Sequence, residues 1–274
     1  MADPSASAIL NRSQLQGRSG SVLNALWTLY PIAVVMAVWE AVAHSGYISR
    51  LLLPPIEAVA YELWRFAASG DLVFHGSITL QRSLTGFGAA IVCGILMGAL
   101  LARSRNAARF IEPIFVFGYP IPKISLYPVF IFVFGFGDMS KIVLIFLECL
   151  YPITIQTMHG MRSAEKTLIW ASQNAGASDA RIFWRVLVPS AAPAIFAGIR
   201  IALPISMIVT IITELIGESR GLGYVVTFAS ASFEPARAMA AFAVIAFIGF
   251  CFDRSLAFFR RRIIFWQNSG LDLR

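Results

Sequence analysis

The 274-residue sequence predicts an all-α membrane protein with about six transmembrane helices, and three observations carry that prediction. Hydrophobic residues make up 58% of the chain and charged ones only 14%, with a mean hydropathy of +0.72; a soluble domain carries about 25% charged residues. The apolar residues gather into runs of about 20, the length that crosses a hydrocarbon core. The charges cluster between those runs, so the net charge of +7 argues for loops at a membrane surface and against a nucleic-acid partner.

The spans follow in order. The first runs from about Leu26 to Ala43, with Glu40 near its end. The second, Leu84 to Ala102, is uncharged and carries Gly94-x-x-x-Gly98 after Gly86 and Gly88; small residues four apart let helix backbones approach closely. The third, Pro113 to Gly137, contains Lys123 among Pro120, Pro122 and Pro128. Proline removes a backbone donor and clashes with the preceding turn, and such broken helices persist in lipid only where the freed groups face protein or water. The fourth, Ile142 to Met161, holds Glu148 and His159; the fifth, Ser190 to Thr213, holds Arg200; the sixth, Ala238 to about Phe258, holds Asp253 and Arg254 near its end.

Lys and Arg set the orientation. With the N-terminus inside, fourteen basic residues fall on inner segments, among them Arg103, Arg105, Arg109, Arg162 and Arg260 to Arg262. Six fall on outer ones: Arg50, Arg65, Arg82, Lys141, Arg220 and Arg237. Both termini are thus expected in the cytoplasm. The polar first 23 residues, and the lack of a small-residue cleavage site directly after the first apolar run, predict an uncleaved anchor. The resulting layout is an inner tail (1–23), a first membrane helix (24–44), an outer segment (45–81), a core (82–260) and an inner tail (261–274). In the outer segment, Ile56, Val59, Leu63 and Phe66 recur at helical spacing after Pro54-Pro55, as in a short amphipathic surface helix.

Little in the chain supports chemistry of its own. Cys93, Cys149 and Cys251 fall inside spans, at spacings that fit neither a disulfide framework nor a zinc site. His44, His75 and His159 are scattered near span boundaries and read as helix-end residues. A phosphate-binding P-loop needs Gly immediately before its Lys, whereas the three lysines follow Pro122, Ser140 and Glu165. No cofactor is expected in this chain. Lys123, Glu148 and Arg200 lie at membrane depth, where charge is costly unless paired or hydrated. They are candidates either for a translocation pathway or for structural pairing, with Arg200 the expected counter-charge of Glu148.

The segment from Arg162 to Pro189 stands apart as a polar island between apolar runs. Gly176 and Ser178 divide two stretches of helical composition, as a helix C-cap and the next N-cap do. This predicts two short helices joined by a knuckle at Gly176-Ala177-Ser178. Arg181 and Arg185 share a face, and Phe183 and Trp184 suit either the membrane interface or a groove on a partner protein.

Gly176, followed thirteen residues later by Pro189 within Gly-Ala-Ser-Asp-Ala-Arg-Ile-Phe-Trp-Arg-Val-Leu-Val-Pro, resembles the "EAA" loop of binding-protein-dependent ABC importer permeases. Further stretches resemble the nitrate/sulfonate/taurine branch of that family: Pro120 to Pro128, Phe134 to Gly137, Gly198 to Ala202 and Glu214 to Tyr224. The resemblance covers roughly residues 50 to 260. It implies a type I importer core of five helices plus an N-terminal helix, in a bacterial inner membrane. It also implies a homodimer, two cytoplasmic ATPases that hold ATP and Mg, and an extracytoplasmic substrate-binding protein. The implied mechanism is alternating access for a small, anionic or organic solute. Trp170, Ala171, Ser172, Gly176, Ala177, Ser178, Asp179, Arg181, Phe183, Arg185 and Pro189 would form the ATPase-coupling loop. Trp170-Ala171-Ser172 stands where the family has Glu-Ala-Ala, so an acidic contact is lacking. Glu214 joins Lys123, Glu148 and Arg200 as a pathway candidate. The alternative is an ion-gradient-driven secondary transporter or channel, which explains the intramembrane charges but not the polar island.

Overall fold

The computed structural model describes residues 30–118 and 121–265. The tail expected at 1–23, the start of the first span, Pro120 and residues 266–274 of the tail expected at 261–274 lie outside them. Described residues form helices and no strands: α1 (Tyr30–His44), α2 (Ile56–Ala68), α3 (Asp71–Arg103), α4 (Arg105–Gly118), α5 (Tyr127–Phe134), α6 (Asp138–Arg162), α7 (Lys166–Asn174), α8 (Asp179–Ile182), α9 (Val188–Leu215), α10 (Leu222–Ala231) and α11 (Pro235–Ile263). Four helices are long and apolar enough to cross a membrane: α3, α6, the continuous rod Asp179–Leu215 formed by α8 and α9, and α11.

α3, α6 and α9 form the centre, and small residues set their approach. A Cβ on Gly94 would lie 2.8 Å from Ile153 of α6, and one on Gly98 2.6 Å from the Thr154 carbonyl oxygen. A Cβ on Gly160 of α6 would lie 2.6 Å from Ala194 of α9. The core gathers there: Ala90, Leu144, Ile145, Cys149, Ile153, Ala191 and Ala202 are fully buried. A second cluster joins Phe66 of α2 to Leu222, Val225 and Val226 of α10 and Ala241 and Val244 of α11. The helix expected after Pro54-Pro55 is α2, and its buried face is this Phe66 contact.

One expectation is made specific and one is corrected. The third span is broken, as its prolines imply. α4 ends at Gly118, a 3-10 turn covers Lys123–Leu126, and α5 begins only at Tyr127. Pro122 stands in extended backbone (ψ 95°), and Pro128 sits in the first turn of α5, where its missing N–H costs nothing. The second helix of the polar island does not end before the fifth span, because α8 continues into α9. The join is a π turn at Phe183–Leu187, where the Val188 N–H reaches back to the Phe183 carbonyl. It lies just ahead of Pro189, which has no N–H and would crowd the carbonyl four residues back; a widened turn relieves that crowding.

α3 starts well before the apolar run that predicts it. Its 33 residues span about 50 Å at 1.5 Å per residue, more than the ~30 Å hydrocarbon core. Its extra N-terminal turns carry His75, Thr79 and Arg82. The bundle therefore has two distinct ends: one with the Gly176 knuckle, the other with the first turns of α3 and α6.

Candidate functional site

At the knuckle, α7 ends in a Schellman motif. The Ala177 N–H donates to the Ser172 carbonyl at 3.0 Å and the Gly176 N–H to the Gln173 carbonyl at 2.9 Å. Gly176 has φ +75°, the left-handed conformation such a C′ residue adopts. Ser178 occupies the N-cap position of α8, but its side chain makes no capping bond. The Ser172 hydroxyl turns back onto the Leu168 carbonyl. Trp170, Ala171, Asp179, Arg181 and Arg185 are exposed, and Phe183, Ala177 and Pro189 half-buried. Trp184 stands 68% exposed, edge-on to Phe183. The knuckle thus presents two tryptophans and two arginines clear of the bundle. Behind it, a cavity of about 460 Å³ is lined by Ala102, Met161, Ile182 and Leu187, with Arg103 and Asp179 among its polar groups.

The mid-bundle charges are paired differently from expectation. Lys123 Nζ lies 3.7 Å from Glu148, both 20% exposed. Arg200 Nε lies 3.5 Å from Asp253 of α11, at 60% and 44% exposure. Glu148 is therefore the partner of Lys123, not of Arg200. With Asp253 included, the four charges cancel.

Glu214 lies far from these pairs, fully buried at the opposite end from the knuckle, within a network that hydropathy does not reveal. Arg82, read from sequence as an outer-loop charge, is 2% exposed and central. Its Nε donates to Asp138 at 2.7 Å and its Nη1 to Glu214 at 3.0 Å and the Arg220 carbonyl at 3.1 Å. Its Nη2 reaches Glu218 at 3.3 Å. Lys141, also read as a loop charge, is fully buried and donates to Glu218 at 2.5 Å and to the Phe136 and Gly137 carbonyls. Glu214 accepts further bonds from the Thr79 hydroxyl and the Gly223 N–H. Gly221 (φ +106°) passes so close to Glu214 that a Cβ would collide with its carboxylate. Burial alone would raise the Glu218 carboxyl; the bond to Lys141 and the charges of Lys141 and Arg82 outweigh it and hold the group below its ordinary range. This latch ties α3, α6, α9 and the 216–221 loop into one block. The stretch from Glu214 to Gly223 carried the only sequence signal for it, two acids among closely spaced glycines.

A bundle of long apolar helices, interrupted by proline breaks, stapled by a buried ion network at one end and carrying a polar knuckle at the other, defines a multi-pass membrane permease. Residues 90–265 match the family described as binding-protein-dependent transport system inner membrane component, and the chain belongs to that family, the permease components of ABC importers. It is 33% identical over 242 residues to the taurine transport system permease protein TauC of Escherichia coli (strain K12), covering 86% of this chain and 88% of that protein. It is 28% identical over 237 residues to the putative aliphatic sulfonates transport permease protein SsuC of Bacillus subtilis (strain 168), covering 86% of each. The fold matches a chain of the MetNI methionine ABC transporter in an inward-facing conformation, with TM-score 0.52, 21% identity, and coverage of 65% of this chain and 93% of that one.

Proposed function

We propose that the chain forms, as a homodimer with two cytoplasmic ATPase subunits, the pathway of an importer for a small sulfonate-class organic anion delivered by an extracytoplasmic binding protein. The substrate class rests on the relatives, TauC and the SsuC permeases, since the mid-bundle charges sum to zero. The knuckle end faces the cytoplasm, both termini lie there, and ATP and Mg belong to the ATPase partners.

The carrying observation is the exposed knuckle: a Schellman-capped turn with Trp170 on one side and Arg181, Trp184 and Arg185 in the first turns of the rod Asp179–Leu215 on the other, all exposed. Large aromatic and arginine side chains on a rigid turn suit a groove in a soluble partner. Residues 170–172, 176–179, 181, 183, 185 and 189 act together as the coupling segment. Its displacement by the closing ATPases passes along the unbroken rod Asp179–Leu215, which rocks against α6 and alternates access. The partly exposed pairs Lys123–Glu148 and Arg200–Asp253 border the pathway, because charge facing lipid at that depth is expensive. Glu214 serves the latch and acts on the pathway only through it.

The test is reconstitution of the permease with its ATPase and binding protein in liposomes. Uptake of taurine or an alkanesulfonate is expected only with ATP inside and binding protein outside. Uptake by the permease alone in ATP-free vesicles would instead establish the gradient-driven alternative.

A further inference from the structure

We propose that Glu40, His44 and Glu57 form a site for a zinc-class divalent cation that clamps α1 to α2. Glu40 and His44 are four residues apart on α1 and share one face, and Glu57 stands in the first turn of α2. One ligand atom from each of the three lies within 4.8 Å of the others. A single ion takes one ring nitrogen. The His44 Nδ1, 3.2 Å from a Glu40 carboxylate oxygen, is also 3.2 Å from the Glu40 backbone carbonyl and can donate to it. That leaves the Nε2, 3.8 Å from a Glu57 oxygen, as the ligand. Zinc bonds of about 2.0–2.2 Å in tetrahedral geometry put ligand atoms roughly 3.3–3.5 Å apart. Small rotations of exposed side chains close the remaining gap. One imidazole with two carboxylates is a donor set that zinc-class ions accept, and solvent completes the coordination. The two carboxylate charges offset the ion's own.

Glu40 is already held in place, and so is the junction of α1 with the start of α2. The second oxygen of Glu40 accepts the Ile56 N–H at 3.0 Å, and the Trp39 indole donates to the Pro54 carbonyl at 2.9 Å. Such outer bonds orient a metal ligand and raise its affinity. The location gives the ion a task. From Tyr30 to Val38, α1 is exposed throughout, and Ala43 in its last turn is its one fully buried residue among those described. The hold of α1 on the rest of the chain therefore runs through the turns that carry Glu40 and His44. Side-chain exposure of 44% at His44 and 73% at Glu57 leaves the site open to ions from solution.

The competing account is a metal-free clasp, in which the imidazole bridges the two glutamates by hydrogen bonds alone. The test uses the full-length permease in lipid nanodiscs, with any affinity tag removed and metal stripped by chelator. Zn²⁺ is titrated by calorimetry and Co²⁺ by its visible absorption. One saturable site per chain is expected, with the bands of a four- or five-coordinate Co²⁺ complex that Zn²⁺ bleaches. Glu57→Gln and His44→Ala should each weaken binding by at least about tenfold, while His159→Ala leaves it unchanged. An unaltered gel-filtration profile shows that the variants remain folded. Absence of saturable binding, or binding equal in wild type and His44→Ala, overturns the site and leaves the metal-free clasp.

Discussion

Gly176 shows how a single backbone angle matters. A Cβ there would meet nothing within 4 Å, so space is not the constraint; φ +75° is. A β-branched residue resists that conformation and proline cannot adopt it, whereas Asn tolerates it. Gly176→Val and Gly176→Pro should lower transport severalfold at unchanged protein level, or release the ATPase on purification, with Gly176→Asn near wild type. Normal transport and ATPase retention in both disruptive variants would refute the role of the turn. Arg82 is the opposite case, a residue fixed entirely by its neighbours. Its removal leaves Asp138, Glu214 and Glu218 close together, and breaking a buried pair from one side costs about 3–5 kcal/mol. Arg82→Ala should therefore lower the melting temperature of the detergent-solubilised protein by well over that of an exposed Arg50→Ala control. Glu218 adds a pH expectation. Its folded-state carboxyl is held below the ordinary range, so its contribution is complete above the unfolded value and is lost only as pH falls through the depressed one. Between pH 6 and 8 the Glu218→Gln penalty should stay constant, and it should shrink only in acid. A penalty that changes across neutral pH would contradict the lowered value.

Among the helices, the apolar runs located the long spans because length and hydropathy are the membrane's own requirements. The knuckle was equally legible, since Gly and Pro act through local backbone rules. What hydropathy could not supply was pairing. Arg82, Lys141 and Glu218 look like loop charges until α3 is extended to Asp71 and the 216–221 loop folds back onto it. The break before α5 was foreshadowed by its prolines, but its division into α4, a 3-10 turn and α5 was not. The mid-bundle pairs are likewise a tertiary fact, and they yield a discriminating experiment. Arg200→Ala should reduce the yield of assembled complex, and Asp253→Ala added to it should restore much of that yield, because the uncompensated carboxylate is gone. Glu148→Ala added to Arg200→Ala should not, since Glu148 already has Lys123. Rescue by Glu148 rather than Asp253 would show that the helices pair as the sequence alone implied.

For the molecule as a whole, orientation rests on the distribution of Lys and Arg. The count of basic residues was fourteen on one side against six on the other, yet Arg82 and Lys141 among the six are neutralised in buried ion pairs. The positive-inside bias counts Lys and Arg as the chain inserts, with little weight from Asp or Glu, so both residues stay in the count and the bias remains fourteen to six. The proposed orientation has the knuckle, with exposed Arg181 and Arg185, on the inner side and the latch outside. Cysteines introduced singly in a background lacking Cys93, Cys149 and Cys251 test this directly. Ser178→Cys at the knuckle should react with an impermeant maleimide only in inverted vesicles. Ser69→Cys, after α2, and Ser219→Cys, in the latch loop, should react only in intact spheroplasts; all three serines are exposed. Labelling of Ser178→Cys from outside would invert the bundle, move the exposed tryptophans and arginines away from the ATP side, and remove the basis for assigning the knuckle to an ATPase.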